Sequence, residues 1–249
     1  MRNAAATSLF SLLACAPAKA ETCRAVEFET AFYTVCSVSL DADIRLFHSD
    51  GDGNLHGQFD ALAADLEAQG LELVFAMNAG MYHEDRAPVG LYVEAGEERA
   101  RIVLGPGPGN FGMVPNGVFS IAPDGGAAVW ESETFAETAP PVAYATQSGP
   151  MLVVDGDIHP RFNPEGTSKK RRNGVGITAD GKTVHFVISD VPVNFHGFAR
   201  LFRDELGTPN ALFLDGGVAS KIYAPELERN EKGLEMGPMV GVVRRAARQ

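Results

Sequence analysis

The chain has few basic residues, few cysteines and no long apolar run. Its 21 lysines and arginines are outnumbered by 32 aspartates and glutamates, which gives a net charge of −11. An acidic surface repels the phosphates of nucleic acids, so no nucleic-acid partner is expected. The apolar stretches after residue 20 are too short to cross a bilayer, and no integral membrane span is predicted.

The first twenty residues have the character of an export signal. Arg2 gives a positive start, small apolar residues follow it, and Ala18-Lys19-Ala20 offers a cleavage site before Glu21. We predict a signal peptide over residues 1–20, a mature domain over residues 21–249 and a periplasmic or secreted location. Removing Arg2 and Lys19 would take the net charge from −11 to −13.

A second interpretation of the N-terminus stays open. Leu12-Leu13-Ala14-Cys15 resembles a bacterial lipoprotein box, in which Cys15 would be lipidated and would anchor the protein to a membrane. Both interpretations take the protein out of the cytoplasm.

Of the three cysteines, Cys15 falls in the leader. The other two, Cys23 and Cys36, form an even pair in an oxidising compartment, so we predict a disulfide between them. Its short loop would add about 3 kcal/mol of stability in the chain-entropy model. Two cysteines without a neighbouring histidine cannot fill a tetrahedral zinc site, and the sequence indicates no metal and no cofactor.

Short alternating segments separated by turn residues dominate the chain. Residues 26–40 and 44–47 alternate polar and apolar side chains, and each segment is predicted to be a strand. The middle of the chain is nearly all hairpins, with turns at Asp124-Gly125 and Asp180-Gly181 among others. Few helices and many hairpins predict a single α+β domain, in which a twisted mixed β-sheet carries a few packed helices.

Two helix–strand units each end in a polar residue. In the first, a helical pattern stops at Gly70 and a strand leads into Asn78. In the second, a helix stops at Gly207 and a strand leads into Asp215. The polar residue stands eight positions after the stopping glycine in both units. We therefore predict that Asn78 and Asp215 lie on similar edges of one sheet.

Asp215 ends an apolar run and is followed by Gly216 and Gly217. The two glycines remove side chains from the backbone beside the carboxylate, which leaves room for a ligand. Asp-Gly is also a common hairpin turn, so a catalytic residue and a turn residue both stay open for Asp215. Three other segments share this glycine-rich, polar character; they begin at Asn78, Gln147 and Arg172.

Together these segments resemble the phosphodiester glycosidase domain over residues 71–243. The landmarks are Met77-Asn78-Ala79-Gly80-Met81-Tyr82, Pro88-Val89-Gly90-Leu91, Ser148-Gly149-Pro150-Met151-Leu152, Arg172-Asn173-Gly174-Val175-Gly176-Ile177 and Leu214-Asp215-Gly216-Gly217. The resemblance implies an exported hydrolase that cleaves the glycosidic bond to phosphate in a sugar-1-phosphodiester or a related envelope glycan. Two departures concern sugar specificity. Val218 and Ala219 stand where the family often has two serines, and Asn173 stands where it often has a small hydroxyl residue.

Cleavage of a sugar–phosphate bond requires a group that acts on the anomeric carbon. Asp215 would be the base or nucleophile there, and His83, in the loop that follows Asn78, would be the second acid. Other candidates for that acid are Glu84, Asp85 and Asp190.

The phosphate is a good leaving group, so protonation by a general acid is less important here than hydrogen-bond donors to the phosphate oxygens. Arg172 would supply such donors, whereas Lys169 and Lys170 are predicted to lie in a solvated loop. Tyr82 would stack on the sugar ring or pack in the core. The candidate substrate-binding residues are Asn78, Tyr82, Ser148, Gly149, Arg172, Asn173, Gly216, Gly217 and Ser220.

Two other functions stay open beside hydrolysis of a small-molecule or glycan substrate. The first is a non-catalytic envelope protein that binds glycans, which would keep its ligand when Asp215 is replaced. The second is a metal-dependent phosphoesterase, which activity in the presence of a chelator would exclude. The sequence does not predict the oligomeric state.

Overall fold

The computed structural model describes residues 21–246, so the predicted signal peptide and Cys15 lie outside the described residues. The strands, in chain order, are β1 (Glu21–Phe28), β2 (Ala31–Ser39), β3 (Asp43–Phe47), β4 (Leu71–Asn78), β5 (Tyr92–Glu94), β6 (Glu97–Ala100), β7 (Gly117–Ile121), β8 (Ala127–Glu131), β9 (Tyr144–Ser148), β10 (Met151–Val154), β11 (Asp157–Ile158), β12 (Asn173–Ile177), β13 (Thr183–Ser189), β14 (Asn210–Phe213), β15 (Ile222–Ala224), β16 (Arg229–Asn230) and β17 (Met239–Arg245). The helices are α1 (Phe59–Ala68), α2 (Ser132–Thr138) and α3 (Phe195–Arg200), a π-helical turn (Leu201–Glu205) and two 3₁₀ turns (Gly217–Ala219 and Pro225–Leu227).

The strands form three sheets. One has the order β1-β2-β13-β12-β14-β10-β11, the second β16-β15-β4-β17-β3 and the third β6-β5-β9-β7-β8. All strand pairings within residues 21–246 are antiparallel. The predicted α+β class is confirmed. In place of one mixed sheet there are three antiparallel ones, which combine hairpins of consecutive strands with pairings between strands distant in the chain, such as β2 with β13 and β4 with β17.

The single strand predicted over residues 26–40 is wrong. The chain reverses at Glu29, which adopts a positive φ of 54°, and β1 and β2 pair across this turn. Alternation of polar and apolar residues continues through the turn, so the period of two does not reveal it. The reversal places Cys23 directly opposite Cys36.

The predicted disulfide between Cys23 and Cys36 is confirmed, with 3.9 Å between the two Cα atoms. It ties β1, an edge strand, to β2. We expect Cys36→Ser to lower the free energy of unfolding by about 2–3 kcal/mol, through the larger conformational freedom of the unfolded chain. Urea unfolding of the variant and of the oxidised protein measures this. An unchanged midpoint would show that hairpin pairing alone holds β1.

Three phenylalanines meet where the three sheets pack together. The ring centroid of Phe186, on β13, lies 5.3 Å from that of Phe75 on β4 and 5.8 Å from that of Phe119 on β7. All three side chains are buried. Burial of each contributes roughly 1.5–3 kcal/mol, so this cluster fixes the sheets relative to one another.

The helices cover the outer faces of the sheets. Helix α1 buries Phe59, Leu62 and Leu66 along one face, at the spacing of an amphipathic helix. Helix α3 buries Phe198, whose ring stacks on Tyr33 of β2. Within residues 21–246, no helix combines the length and the apolar character that crossing a membrane requires.

Candidate active site

Two sheets meet at the polar residues that end their strands. The Asn78 Nδ2 atom, at the end of β4, donates to the main-chain carbonyl of Asp215 over 2.8 Å. The Oδ1 atom of Asn78 accepts from Asn173 Nδ2 (2.7 Å) and from the main-chain N–H of Lys221 (3.0 Å). The predicted proximity of Asn78 and Asp215 is therefore correct. The prediction of one sheet is wrong, because β4 belongs to the second sheet and Asp215 follows β14 of the first.

Asp215 sits on a fixed main chain. Besides the bond from Asn78, its carbonyl oxygen accepts from Ser220 Oγ over 3.3 Å. Gly217 has a φ of +68°, which favours glycine. A Cβ atom on Gly216 would lie 2.6 Å from Cζ of Phe213, so a side chain there would clash. Asp215 leads into the 3₁₀ turn rather than into a returning hairpin strand, which argues against a role as a simple hairpin turn.

The carboxyl group of Asp215 is half-buried and has an altered acidity. Burial raises its pKa from 3.8 to about 6, and the main-chain N–H of Gly216 opposes part of this shift. Within residues 21–246, no lysine or arginine forms an ion pair with it. The carboxyl group can therefore exchange a proton near neutral pH, as a catalytic acid or base must.

Arg172 is a buried cation on an aromatic surface. Its guanidinium carbon lies 3.4 Å from the ring centroid of Phe195 and 5.6 Å from that of Phe213. The Nε atom donates to the Val193 carbonyl (2.9 Å) and Nη2 to the Ser168 carbonyl (3.0 Å). Burial lowers its pKa to about 10, so it stays charged at neutral pH.

No carboxylate of residues 21–246 forms an ion pair with Arg172. A buried charge without a partner is costly, and an anionic ligand would lower that cost. Arg172 is therefore suited to bind an anion such as a phosphate.

Arg172 and Asp215 line the same pocket, which has a volume of about 540 Å³. Four of the predicted site residues come together here: Arg172, Asp215, Gly216 and Gly217. The remaining lining residues were not predicted as ligand contacts: Asn110, Lys169, Lys170, Arg171, Pro192, Phe213 and Val218. Lys169 and Lys170 are exposed, as expected of a solvated loop, and also border the pocket.

Tyr82 lies close enough to Asp215 for the two to interact electrostatically. Burial raises the pKa of the Tyr82 hydroxyl, and the negative charge of Asp215 raises it further. Arg86 stands over the tyrosine ring at 5.6 Å. The next residue, His83, has an exposed side chain in a turn closed by its main-chain bonds to Ala87 and Arg86. In the part of the chain described, the His83 imidazole makes no hydrogen bond.

Ser148, Gly149 and Ser220 lie deeper than expected for residues that contact a ligand directly. Ser148 Oγ is buried and has no hydrogen-bond partner among the described residues, as is also true of Asn173 Oδ1. A Cβ atom on Gly149 would lie 2.6 Å from Cβ of Asn116, so only glycine fits there. The hydroxyl of Ser220 is occupied by the Asp215 carbonyl.

Arg171 holds the main chain around Asp215, and sequence reasoning missed it. Its guanidinium forms two hydrogen bonds to Glu231, at 2.8 and 2.7 Å, and a third to the Ser220 carbonyl at 3.2 Å. Its own carbonyl accepts from the Gly217 N–H over 2.8 Å. Glu231 lies 60 residues away in sequence, and no local pattern signals the pair.

An aromatic stack behind Arg172 was also missed. The ring of Phe195 stacks on Phe162 at 4.8 Å, and Phe162 stacks on His159 at 4.7 Å. Burial lowers the pKa of His159, so this ring is neutral near pH 7.

No three His, Cys, Asp or Glu side chains within residues 21–246 come together as metal ligands would. The expectation of no metal and no cofactor stays a prediction.

The chain is similar to proteins of a known family. A family model described as phosphodiester glycosidase matches residues 72–243. The uncharacterized protein YigE of Escherichia coli K12 is 39% identical over 176 residues, which cover 71% of this chain and 68% of YigE.

Two solved structures share the fold. One is the catalytic domain of zebrafish N-acetylglucosamine-1-phosphodiester alpha-N-acetylglucosaminidase, auto-inhibited by its pro-peptide. It has a TM-score of 0.60 and 14% identity, over 92% of this chain and 82% of the zebrafish chain. The other is a hypothetical protein from Synechocystis, with a TM-score of 0.58 and 13% identity, over 90% of this chain and 61% of that one. At such low identity, both are evidence of the fold alone.

Proposed function

Because this chain belongs to the phosphodiester glycosidase family, we propose that it hydrolyses the glycosidic bond between a sugar and a phosphate. The substrate would be a sugar-1-phosphodiester or a related envelope glycan outside the cytoplasm. The main support is that a buried, unpaired cation, Arg172, shares one pocket with Asp215, a carboxyl group of raised pKa. Arg172 is suited to bind the phosphate, and Asp215 is suited to act on the adjoining anomeric carbon.

In the proposed reaction, the bond between the anomeric carbon and the phosphate oxygen breaks. Arg172 neutralises the charge that develops on the departing phosphate, which leaves as a monoester. Asp215 either attacks the anomeric carbon and forms a glycosyl ester that water hydrolyses, or takes a proton from the attacking water. Both routes give a free sugar and require an ionised Asp215.

The remaining predicted residues have supporting parts in this proposal. Ser148 and Asn173 are fully buried and do not line the pocket of Asp215, so they would support the site from behind, Asn173 through its bond to Asn78. Asn78 holds the main chain of Asp215 in place of a direct sugar contact, because its buried side chain is bonded to Asp215, Asn173 and Lys221. Tyr82 would stack on the ring, and His83 would supply the second acid from the exposed turn.

The deciding experiment is a screen of the purified mature protein against sugar-1-phosphodiesters in water enriched in ¹⁸O, run in parallel without and with a chelator. We expect ¹⁸O at the anomeric hydroxyl of the released sugar. Incorporation into phosphate would mean cleavage of the P–O bond and would point to a phosphoesterase. Ligand binding without turnover would favour a glycan-binding protein. Activity that the chelator abolishes would favour the metal-dependent alternative.

The pH dependence of the reaction tests the role of Asp215. The carboxylate is ionised above its pKa of about 6, so kcat/KM should rise with pH and level off above that value. A profile of kcat/KM between pH 4 and pH 8 measures this limb. A flat profile through pH 6 would contradict the assignment.

The proposed location can be tested by mass. We propose that export removes residues 1–20 and that the mature chain begins at Glu21 with its disulfide intact, as an oxidising compartment allows. The intact mass of the exported protein should match residues 21–249. A chain that begins at an acylated Cys15 would establish the lipoprotein alternative instead.

A further inference from the structure

The loop between β6 and β7 reaches the pocket of Asp215. Asn110 lies in this loop and lines the pocket together with Arg172 and Asp215. The other lining residues belong to segments next to β12, β13 and β14 of the first sheet, whereas β6 and β7 belong to the third sheet. Among the described residues that line the pocket, Asn110 is thus the contribution of the third sheet.

The loop is held in one conformation although its composition is typical of a flexible segment. Glycine and proline alternate over residues 105–109, directly before Asn110. Beyond them the Gly107 N–H donates to the Gly112 carbonyl over 3.0 Å, and the Met113 N–H donates to the Asn110 carbonyl over 3.1 Å. The main chain on both sides of Asn110 is therefore fixed by hydrogen bonds within the loop.

Phe111 fastens the loop to the body of the protein. Its carbonyl oxygen accepts from Nδ2 of the buried Asn116 over 2.8 Å. A Cβ atom on Gly149 would lie 2.9 Å from this carbonyl oxygen, and a Cβ atom on Gly90 would lie 2.6 Å from Cζ of the Phe111 ring. Gly90 and Gly149 belong to two of the sequence landmarks, and both make room for the loop that carries Asn110.

The side chain of Asn110 is exposed and makes no hydrogen bond with the described residues. Its amide has two N–H donors and one carbonyl acceptor. A side chain with unused donors and an unused acceptor, on a fixed main chain at the wall of a pocket, is preorganised to bind a polar ligand.

We propose that Asn110 binds a hydroxyl group of the sugar and so contributes to selecting the sugar on which Asp215 acts. The inference rests on the proposed function and adds a residue to its sugar-binding part. A hydroxyl group donates and accepts hydrogen bonds, as the amide does. The phosphate only accepts, and the cations Arg172 and Lys169 of the same pocket already offer donors to it.

The first experiment combines Asn110→Ala with monodeoxy analogues of the sugar in a sugar-1-phosphodiester that the protein turns over. In the natural protein, removal of the contacted hydroxyl should lower kcat/KM roughly 3- to 10-fold, as loss of one neutral hydrogen bond does. Asn110→Ala should lower kcat/KM of the parent substrate by a similar factor. It should show no further loss with that one analogue, because the contact is already missing.

A matched control replaces an asparagine elsewhere on the surface. Asn54 is exposed and does not line the pocket. Asn54→Ala should therefore lose the same factor as the natural protein with every deoxy analogue.

A second variant tests whether the loop positions Asn110. Phe111→Ala removes the ring beside Gly90 and should loosen the loop, so it should lower kcat/KM of the parent substrate without a further effect of the same deoxy analogue. The double variant Asn110→Ala/Phe111→Ala should lose no more than Asn110→Ala alone. Urea unfolding allows rates to be compared per folded molecule. Additive losses in the double variant would contradict the positioning role of Phe111.

Binding tests the contact without turnover. Titration calorimetry would compare inorganic phosphate with a panel of hexose 1-phosphates. Asn110→Ala should weaken binding of a hexose 1-phosphate roughly 3- to 10-fold and leave binding of inorganic phosphate unchanged. Arg172→Lys should weaken both, because its contact is to the phosphate.

The outcomes separate the inference from the proposed function. If every deoxy analogue loses the same factor in Asn110→Ala as in the natural protein, or if Asn110→Ala weakens inorganic phosphate as much as the sugar phosphates, the sugar contact is overturned and the glycosidase stays in place. Absence of turnover, together with binding of a hexose 1-phosphate that depends on Asn110, would support the contact and overturn the glycosidase. Binding of inorganic phosphate but of no hexose 1-phosphate would overturn the contact.

Discussion

Asparagine in place of Asp215 is expected to abolish cleavage of sugar-1-phosphodiesters while the fold stays intact. The amide keeps the volume of the carboxyl group but can neither attack the anomeric carbon nor take a proton. The loss in kcat should be several orders of magnitude if Asp215 is the nucleophile. It should be about 10²–10⁴-fold if Asp215 is a general base. Steady-state kinetics beside a thermal melt measures both activity and folding.

The neighbouring Gly216 calls for a control. An Asn-Gly sequence deamidates readily and would regenerate aspartate, so residual activity of Asp215→Asn should be checked against Asp215→Ala. An unchanged melting temperature together with a near-normal kcat in both variants would contradict a catalytic role for Asp215 and would favour the turn interpretation.

The same substitution should stabilise the protein at neutral pH. Burial raises the pKa of Asp215 to about 6, so the folded protein binds more protons than the unfolded chain between pH 3.8 and 6. The stability of the natural protein therefore falls as pH rises through that window. The amide of Asp215→Asn does not ionise and so does not lose this stability. Its free energy of unfolding should exceed that of the natural protein by about 3 kcal/mol above pH 6, and the difference should vanish near pH 3.8.

Urea unfolding of the two proteins at pH 4 and pH 7.5 measures the gain. A turn residue would give the opposite sign, with a loss of about 1 kcal/mol or less at both pH values. A gain in stability combined with a loss of activity would mark Asp215 as a residue kept for function at a cost in stability.

Local sequence patterns predicted the parts of the site that local chemistry determines. Equal spacing from a stopping glycine to Asn78 and to Asp215 brought the two together correctly. The spacing does not reveal that the two strands lie in different sheets, because both units have the same pattern of helix, stopping glycine and strand. The turn at Glu29 was hidden for a similar reason, since residues on both sides keep one alternating pattern.

Long-range contacts account for what the sequence did not predict. Arg171 looked like its basic neighbours, yet its pairing with Glu231 makes it a support for the Asp215 turn. No sequence motif marks Phe195, the first residue of α3, yet its ring packs against the guanidinium of Arg172. Such roles depend on which surfaces pack together, and only the folded chain decides that.

The second large effect on activity is expected within the basic segment Lys169-Lys170-Arg171-Arg172. Substitutions there should distinguish Arg172 from its neighbours. We expect Arg172→Lys to lower kcat/KM by roughly 10- to 100-fold, as loss of a buried charged hydrogen bond does. Lys169→Ala should cost only a few-fold, because an exposed charge acts through water. Kinetics of both variants at low and high salt measures the contrast. Added salt should weaken the effect of Lys169→Ala and leave that of Arg172→Lys largely intact.

Geometry explains why lysine should fail at position 172. Arginine uses Nε and Nη2 for the carbonyls of Val193 and Ser168, and Nη1 forms no hydrogen bond with residues 21–246, so it remains for the phosphate. A lysine has one nitrogen and cannot serve both carbonyls and the ligand from a flat position over Phe195. Urea unfolding should accompany the kinetics, so that rates are compared per folded molecule. Equal kcat/KM values for Arg172→Lys and Lys169→Ala would mean that the phosphate is held by the exposed lysines, and that the buried guanidinium serves the fold alone.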